Sequence, residues 1–213
     1  MSELSKRAAK YYFIQGIKLV MVSLLVLIFG GVMWTFFSMG EANAFEHVLN
    51  MIFSFGTLFM IMLNFLYSMY SPAWYDSLVL SMGARRKDVF FGELLKQITF
   101  IIGTVLIYII LAVSLHRPEH IITILTCSII SLLMGAVGLI VGHKIKKYGR
   151  VVYIIFVFVN AALFATIGIR QADGKTLIDA HADSRYVIVS AALLLFAILE
   201  FVVYRINKKA MVV

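Results

Sequence analysis

Six apolar runs decide what this chain can become. They lie at about residues 16–39, 48–70, 98–115, 121–142, 151–169 and 186–204, each 18–24 residues long. A helix rises about 1.5 Å per residue, so each run matches a hydrocarbon core of roughly 30 Å. Backbone exposed to lipid must satisfy its own hydrogen bonds, which favours helices, and a barrel would show short alternating segments instead. The expectation is an all-α integral membrane protein with six transmembrane helices, forming one transmembrane domain over residues 1–213. Composition agrees: 62% of the 213 residues are hydrophobic and 14% charged, with a mean hydropathy of +0.97, far from the balance of a water-soluble domain.

The charge pattern gives an orientation. Lys6, Arg7, Lys10, Lys18, Arg85, Arg86, Lys87, Lys96, Lys144, Lys146, Lys147, Arg150, Arg205, Lys208 and Lys209 fall on one side of the six-span arrangement, and only Arg117, Arg170, Lys175 and Arg185 on the other. Basic flanks are retained on the cytoplasmic face, so both termini are expected inside a plasma (inner, cytoplasmic) membrane. The net charge of +8 then answers to anionic lipid headgroups and not to nucleic acid. Cys127, the only cysteine, lies within an apolar run, so no intrachain disulfide is possible.

Between the runs, residues 3–15 read as an interfacial basic helix feeding the first span. The segment 71–97 is the longest interruption and reads as two pieces. Trp74, Leu78 and Met82 recur at i, i+4 and i+8, while Asp76, Ser77 and Ser81 fall on the other side; this describes a short amphipathic helix. Gly83 permits the left-handed residue that ends it, and Asp88 can cap the next helix. Such a helix either lies on lipid or docks onto a soluble partner. The extramembrane pieces are too small to build a core of their own, so no separate catalytic domain, and no enzyme activity in this chain, is expected.

Candidate chemistry is sparse. Gly174-Lys175-Thr176 lacks the upstream glycine register of a phosphate-binding loop, and an ordinary turn is the simpler reading. His116 and His120 stand at i, i+4, on the same side as His47 and His181, but Pro118 interrupts the helix that would align the pair for zinc, so helix-end histidines at an interface are expected instead. No metal or cofactor site emerges. Within the membrane, Asn50, Asn64, Asn160 and Glu200 are the polar side chains of note. Such groups face protein or a wet path and not lipid. For Glu200, pairing with a basic residue at the cytoplasmic edge is the simpler reading, since proton coupling usually shows more than one buried carboxylate. Gly135, Gly138 and Gly142 form a small-residue face suited to close helix packing.

The string Leu80-Ser81-Met82-Gly83-Ala84-Arg85-Arg86-Lys87-Asp88-Val89-Phe90 resembles the segment preceding the third span in ABC-2-type ABC transporter permeases. There, small or apolar residues, Gly, a small residue, two basic residues and an acid precede further apolar ones. The layout is similar to that family over the whole chain: an N-terminal interfacial helix, six spans, and a cytoplasmic coupling helix between spans two and three, as in type V exporters. FtsX/MacB-like permeases carry a similar string, but with four spans and a large external domain. The resemblance implies the membrane subunit of a bacterial ABC exporter. It would pair with a second copy of itself or a related permease and be driven by a separate ABC-type ATPase that holds ATP and Mg. It implies ATPase-coupling roles for Trp74, Asp76, Ser77, Leu78, Ser81 and Met82, with Gly83 as hinge and Arg85 and Arg86 as anchors. An amphipathic or hydrophobic cargo (peptide, lipid or drug) fits the Phe-, Met- and Leu-rich spans. Two other classes remain open: a stand-alone secondary carrier that depends on Glu200, and a non-transporting sensor or anchor that recruits a cytoplasmic partner.

Overall fold

The computed structural model describes residues 3–40, 43–149 and 185–209, and every regular element among them is helical. In chain order these are α1 (Glu3–Phe37), α2 (Ala44–Ser81), α3 (Arg86–Ser114), α4 (Glu119–Tyr148) and α5 (Arg185–Lys209). Four of them, α1 to α4, are long and apolar enough to cross a membrane. The predicted fifth span, with Asn160, and the Gly174–Thr176 turn and His181 lie outside the described residues; the sixth apolar run lies on α5.

Helix lengths carry the main departure from the sequence expectation. α1 has 35 residues and α2 has 38, or about 52 and 57 Å at the helical rise, against a hydrocarbon core of roughly 30 Å. The interfacial helix expected at 3–15 is not separate, being the first third of α1. Nor does a separate short helix start at Trp74: α2 runs without a break from Ala44 to Ser81, through Pro72. Proline removes one ladder bond, here to the Ser68 carbonyl, and such losses are tolerated where neighbouring helices pack closely. α4 supplies that packing. A Cβ on Gly138 would lie 2.5 Å from the Phe65 carbonyl oxygen, and one on Gly142 would overlap the Met69 carbonyl and come within 3.0 Å of Pro72 Cδ.

α2 does end where the glycine predicts. Gly83 has φ +86°, its N–H bonds the Leu80 carbonyl at 3.0 Å, and the Ala84 N–H reaches the Val79 carbonyl at 3.3 Å, which is a Schellman closure. Asp88 then caps α3 from inside its first turn, accepting a bond from the Arg85 N–H at 3.1 Å and another from the Ser5 hydroxyl at 2.6 Å. The α3–α4 turn closes the same way, with His116 in the left-handed region at φ 56° and the Arg117 N–H bonded to the Ala112 carbonyl at 2.8 Å. Arg117 joins Glu46 and Glu119 there, and the bond it donates to Glu46, foremost, raises its guanidinium pKa above the ordinary value.

The bundle has three apolar layers. Phe53, Tyr108, Ala112 and Ile124 pack at the end that carries Arg117. Leu19, Met60, Leu63, Phe100, Ile101 and Cys127 fill the middle. Ala8, Tyr12, Val79 and Val89 form a third cluster at the opposite end, where the start of α1, the end of α2 and the start of α3 meet. The start of α1, the end of α2 and the start of α3 share this layer, and none of them builds it alone. By lengthening spanning helices the chain makes a three-helix stalk. Each valine buried there contributes on the order of 1.5–3 kcal/mol if the stalk stands in water. The Arg86 side chain bonds the Lys208 carbonyl at 2.9 Å and Phe90 meets Tyr204 edge-on, so the end of α5 lies at the same basic end.

Candidate functional site

The stalk presents two faces. On the outer face Trp74 is 73% exposed, Met82 64% and Leu78 44%, and Ser77 and Ser81 are also exposed, each hydroxyl bonding back to its own helix. Arg85 and Arg86 follow just past the Gly83 turn. The inner face carries Asp76 and Val79, 5% and 3% exposed. The apolar stripe of Trp74, Leu78 and Met82 faces away from the bundle, and Ser77 and Ser81, expected on the other side, are exposed with it; of the three polar residues Asp76 alone turns inward. Its burial has a physical cause: Asp76 accepts a bond from the Tyr12 hydroxyl at 2.6 Å, and Val79 packs in the cluster of Ala8, Tyr12 and Val89. Gly92 of α3 makes room for this, since a Cβ there would overlap the Tyr12 ring.

Beneath the stalk, between the third apolar layer and the middle one, lies a band of buried polar groups. Glu93 and Lys96, each 1% exposed, form an ion pair of 2.6 Å one turn apart on α3. Ser71 of α2 donates to the other Glu93 oxygen and accepts from the Lys96 ammonium at 3.0 Å. Asp76, further along α2, is buried as well and held by the Tyr12 hydroxyl. The Lys96 ammonium also lies 5.8 Å from the Tyr75 ring. Glu200 comes in from α5, 7% exposed, one turn before Tyr204, which packs on Phe90 of α3. Neither of its oxygens has a hydrogen-bond partner, so the basic partner expected for it is not found among the described residues.

The band continues toward the centre of the bundle. Asn64 is fully buried and donates to the Ser131 carbonyl at 2.7 Å, but its Oδ1 has no partner. Gln97 is buried beside it, both ends of its amide unpartnered, and the two amides converge on Gly135: a Cβ there would lie 2.5 Å from Gln97 Oε1 and 2.7 Å from Asn64 Nδ2. Ser68 and Thr104 hydroxyls are likewise unpartnered and buried. Unmet buried polar groups cost about 1–3 kcal/mol each, so a seam of them in an apolar bundle is a candidate site that calls for protein or water partners.

Of the residues singled out in the sequence, Trp74, Ser77, Leu78, Ser81, Met82 and Gly83 sit together on the stalk's outer side. Asp76 and Glu200 join the polar band, and Gly135, Gly138 and Gly142 line the α2–α4 seam. Asn50 is exposed. His120 stacks on Phe53 and His47 meets the Trp34 ring edge-on, both toward the Arg117 end. No group of three His, Cys, Asp or Glu side chains among the described residues is arranged to hold a metal ion. Tyr12, Ser71, Glu93, Lys96 and Gln97 were missed by sequence reasoning. Their signal was the run Glu93, Lys96, Gln97 at i, i+3 and i+4, legible only once α3 is known to begin at Arg86.

An all-α bundle with four apolar helices of spanning length defines the class, a multi-helix membrane protein. Comparison with family models, curated proteins and solved structures finds no match to this chain.

Proposed function

We propose that this chain is the membrane subunit of an ATP-driven transporter, non-catalytic itself, inside which the stalk end of α2 serves as the drive shaft. The observation that carries the reading is the pairing of faces on that one helix end. Trp74, Leu78 and Met82 stand outside the bundle, while Ser71 and Asp76, on the same continuous helix, are bonded to α3 and α1. A partner that grips the outer stripe moves the inner contacts with it, because a helix with no break between them transmits displacement along its length. Exposed Trp and Leu next to arginines suit an apolar cleft with an acidic rim, and the string from Leu80 to Phe90 directs the choice of partner to an ABC-type ATPase. The basic end then faces the cytoplasm, with both termini there, and the apolar run of α5 and residues 151–169 complete six spans. A second copy, or a related permease, supplies the other half of the path, and an amphipathic or hydrophobic cargo suits its apolar lining.

Co-purification from native membranes tests this. The wild type should bring down a protein carrying GxxxxGK[ST] and an ABC signature, and a Trp74→Glu/Leu78→Glu variant should lose it while keeping its own unfolding midpoint. A wild type that carries no such ATPase, yet moves solute in liposomes, returns the chain to the class of stand-alone carriers; one that carries no ATPase and moves nothing fits a sensor or anchor.

A further inference from the structure

The polar band holds more acid than base. Asp76, Glu93 and Glu200 are three carboxyls, each less than one-tenth exposed, and Lys96 is the one buried ammonium among the described residues. With every group ionised, three negative charges against one positive leave two in excess. The buried cost of an uncompensated carboxylate runs to several kcal/mol, so that state does not persist in a closed bundle.

Contacts show where the excess goes. Lys96 pairs with Glu93 and with no other carboxyl among the described residues, so the excess lies with Asp76 and Glu200. Asp76 and Glu93 are each held by neighbours. Tyr12 donates to Asp76 at 2.6 Å, Lys96 pairs with Glu93 at 2.6 Å, and Ser71 bridges Glu93 and Lys96. Glu200 is independent of this pair's bonding. It arrives on α5 with both oxygens buried and unpartnered, on the stretch that packs along α3 through Tyr204 on Phe90.

Four helices bring polar groups to the band. α1 contributes Tyr12, α2 Asp76 and Ser71 with the Tyr75 ring over Lys96, α3 Glu93 and Lys96, and α5 Glu200. α4 packs against α2 through its glycine face, and its His143 ring bonds the Leu139 carbonyl at 2.8 Å.

We infer that the band formed by Asp76, Glu93 and Glu200 is a two-proton binding site, one proton on Asp76 and one on Glu200, which with the Lys96–Glu93 pair leaves the closed bundle neutral there. Withdrawing α2 from α3 opens the band at Asp76. A carboxyl that then meets water ionises, its proton passing to that water, so movement of α2 and proton release are linked. The seam of Gln97, Asn64 and Thr104 extends from this site toward the middle of the bundle. The inference rests on the band alone and holds with or without an ATPase partner.

Infrared spectroscopy of the purified full-length protein at neutral pH reads the protons directly. Exposed carboxyls are ionised there, so the wild type should show protonated-carboxyl C=O absorption that shifts in heavy water. Carboxyl-13C labelling of aspartate or of glutamate should assign its parts. Glu200→Gln should remove one part and Asp76→Asn another, and the double variant should remove both. The labelled wild type decides the matter even where a variant misfolds. A wild type with no protonated carboxyl at neutral pH overturns the inference, as does absorption that survives intact in a folded double variant.

Discussion

At the scale of single residues, the polar band is where small changes should matter most. Lys96→Met leaves the carboxyls without their cation, and removing one member of a buried pair costs about 3–5 kcal/mol. The unfolding midpoint in detergent should drop accordingly, and Glu93→Gln added to Lys96→Met should recover much of the loss, because no unpaired charge then remains at that position. Tyr12→Phe is milder. It removes only the donor to Asp76 and should cost about 1–3 kcal/mol, measured the same way. A drop for Lys96→Met no larger than for an exposed lysine such as Lys144 would show that the band is wetter than its burial implies.

At the scale of helices, the α2–α4 seam and the α2 terminus are separable. Gly142→Val drives a side chain into the Met69 carbonyl and Pro72, where over-packing costs about 1–3 kcal/mol; disulfide trapping between α2 and α4 should report the separation. Gly83→Ala leaves open space unchanged but forces a Cβ residue into φ +86°, at about 1–2 kcal/mol, and should fray the turn without loosening the bundle. Much of this level was legible in the sequence. The apolar runs at 16–39, 48–70, 98–115 and 121–142 fall on α1 to α4, Gly83 ends α2, and the glycines of α4 meet α2 at close range. What could not be read was continuity. Pro72 and the polar residues after Tyr70 look like an end to a span, and only packing against Gly138 and Gly142 lets α2 pass through them. That single extension packs the Val79 side of the Trp74–Met82 stretch against α1 and α3. It also takes Asp76 from a presumed surface to the core and places Glu93 and Lys96 inside the protein. The burial of three acids near one lysine follows from tertiary contact between α1, α2, α3 and α5, which no local spacing encodes.

At the scale of the whole molecule, the claim is that force enters at the outer stripe of α2 and reaches the bundle through Ser71, Asp76 and their partners. Trp74→Ala and Leu78→Ala remove exposed side chains and should leave stability within about 0.5 kcal/mol, yet reduce transport to background if a partner grips there. The most direct measurement is site-specific photo-crosslinking in native membranes, with a photoreactive amino acid placed in turn at 74, 78 and 82 on the outer face and at 79 on the inner one. The account predicts adducts to one nucleotide-binding ATPase subunit from 74, 78 and 82, responsive to ATP, and only adducts within the chain from 79. Adducts to lipid alone from all three outer positions would contradict it, and would make the exposed stripe a membrane-resting surface with no partner to drive it.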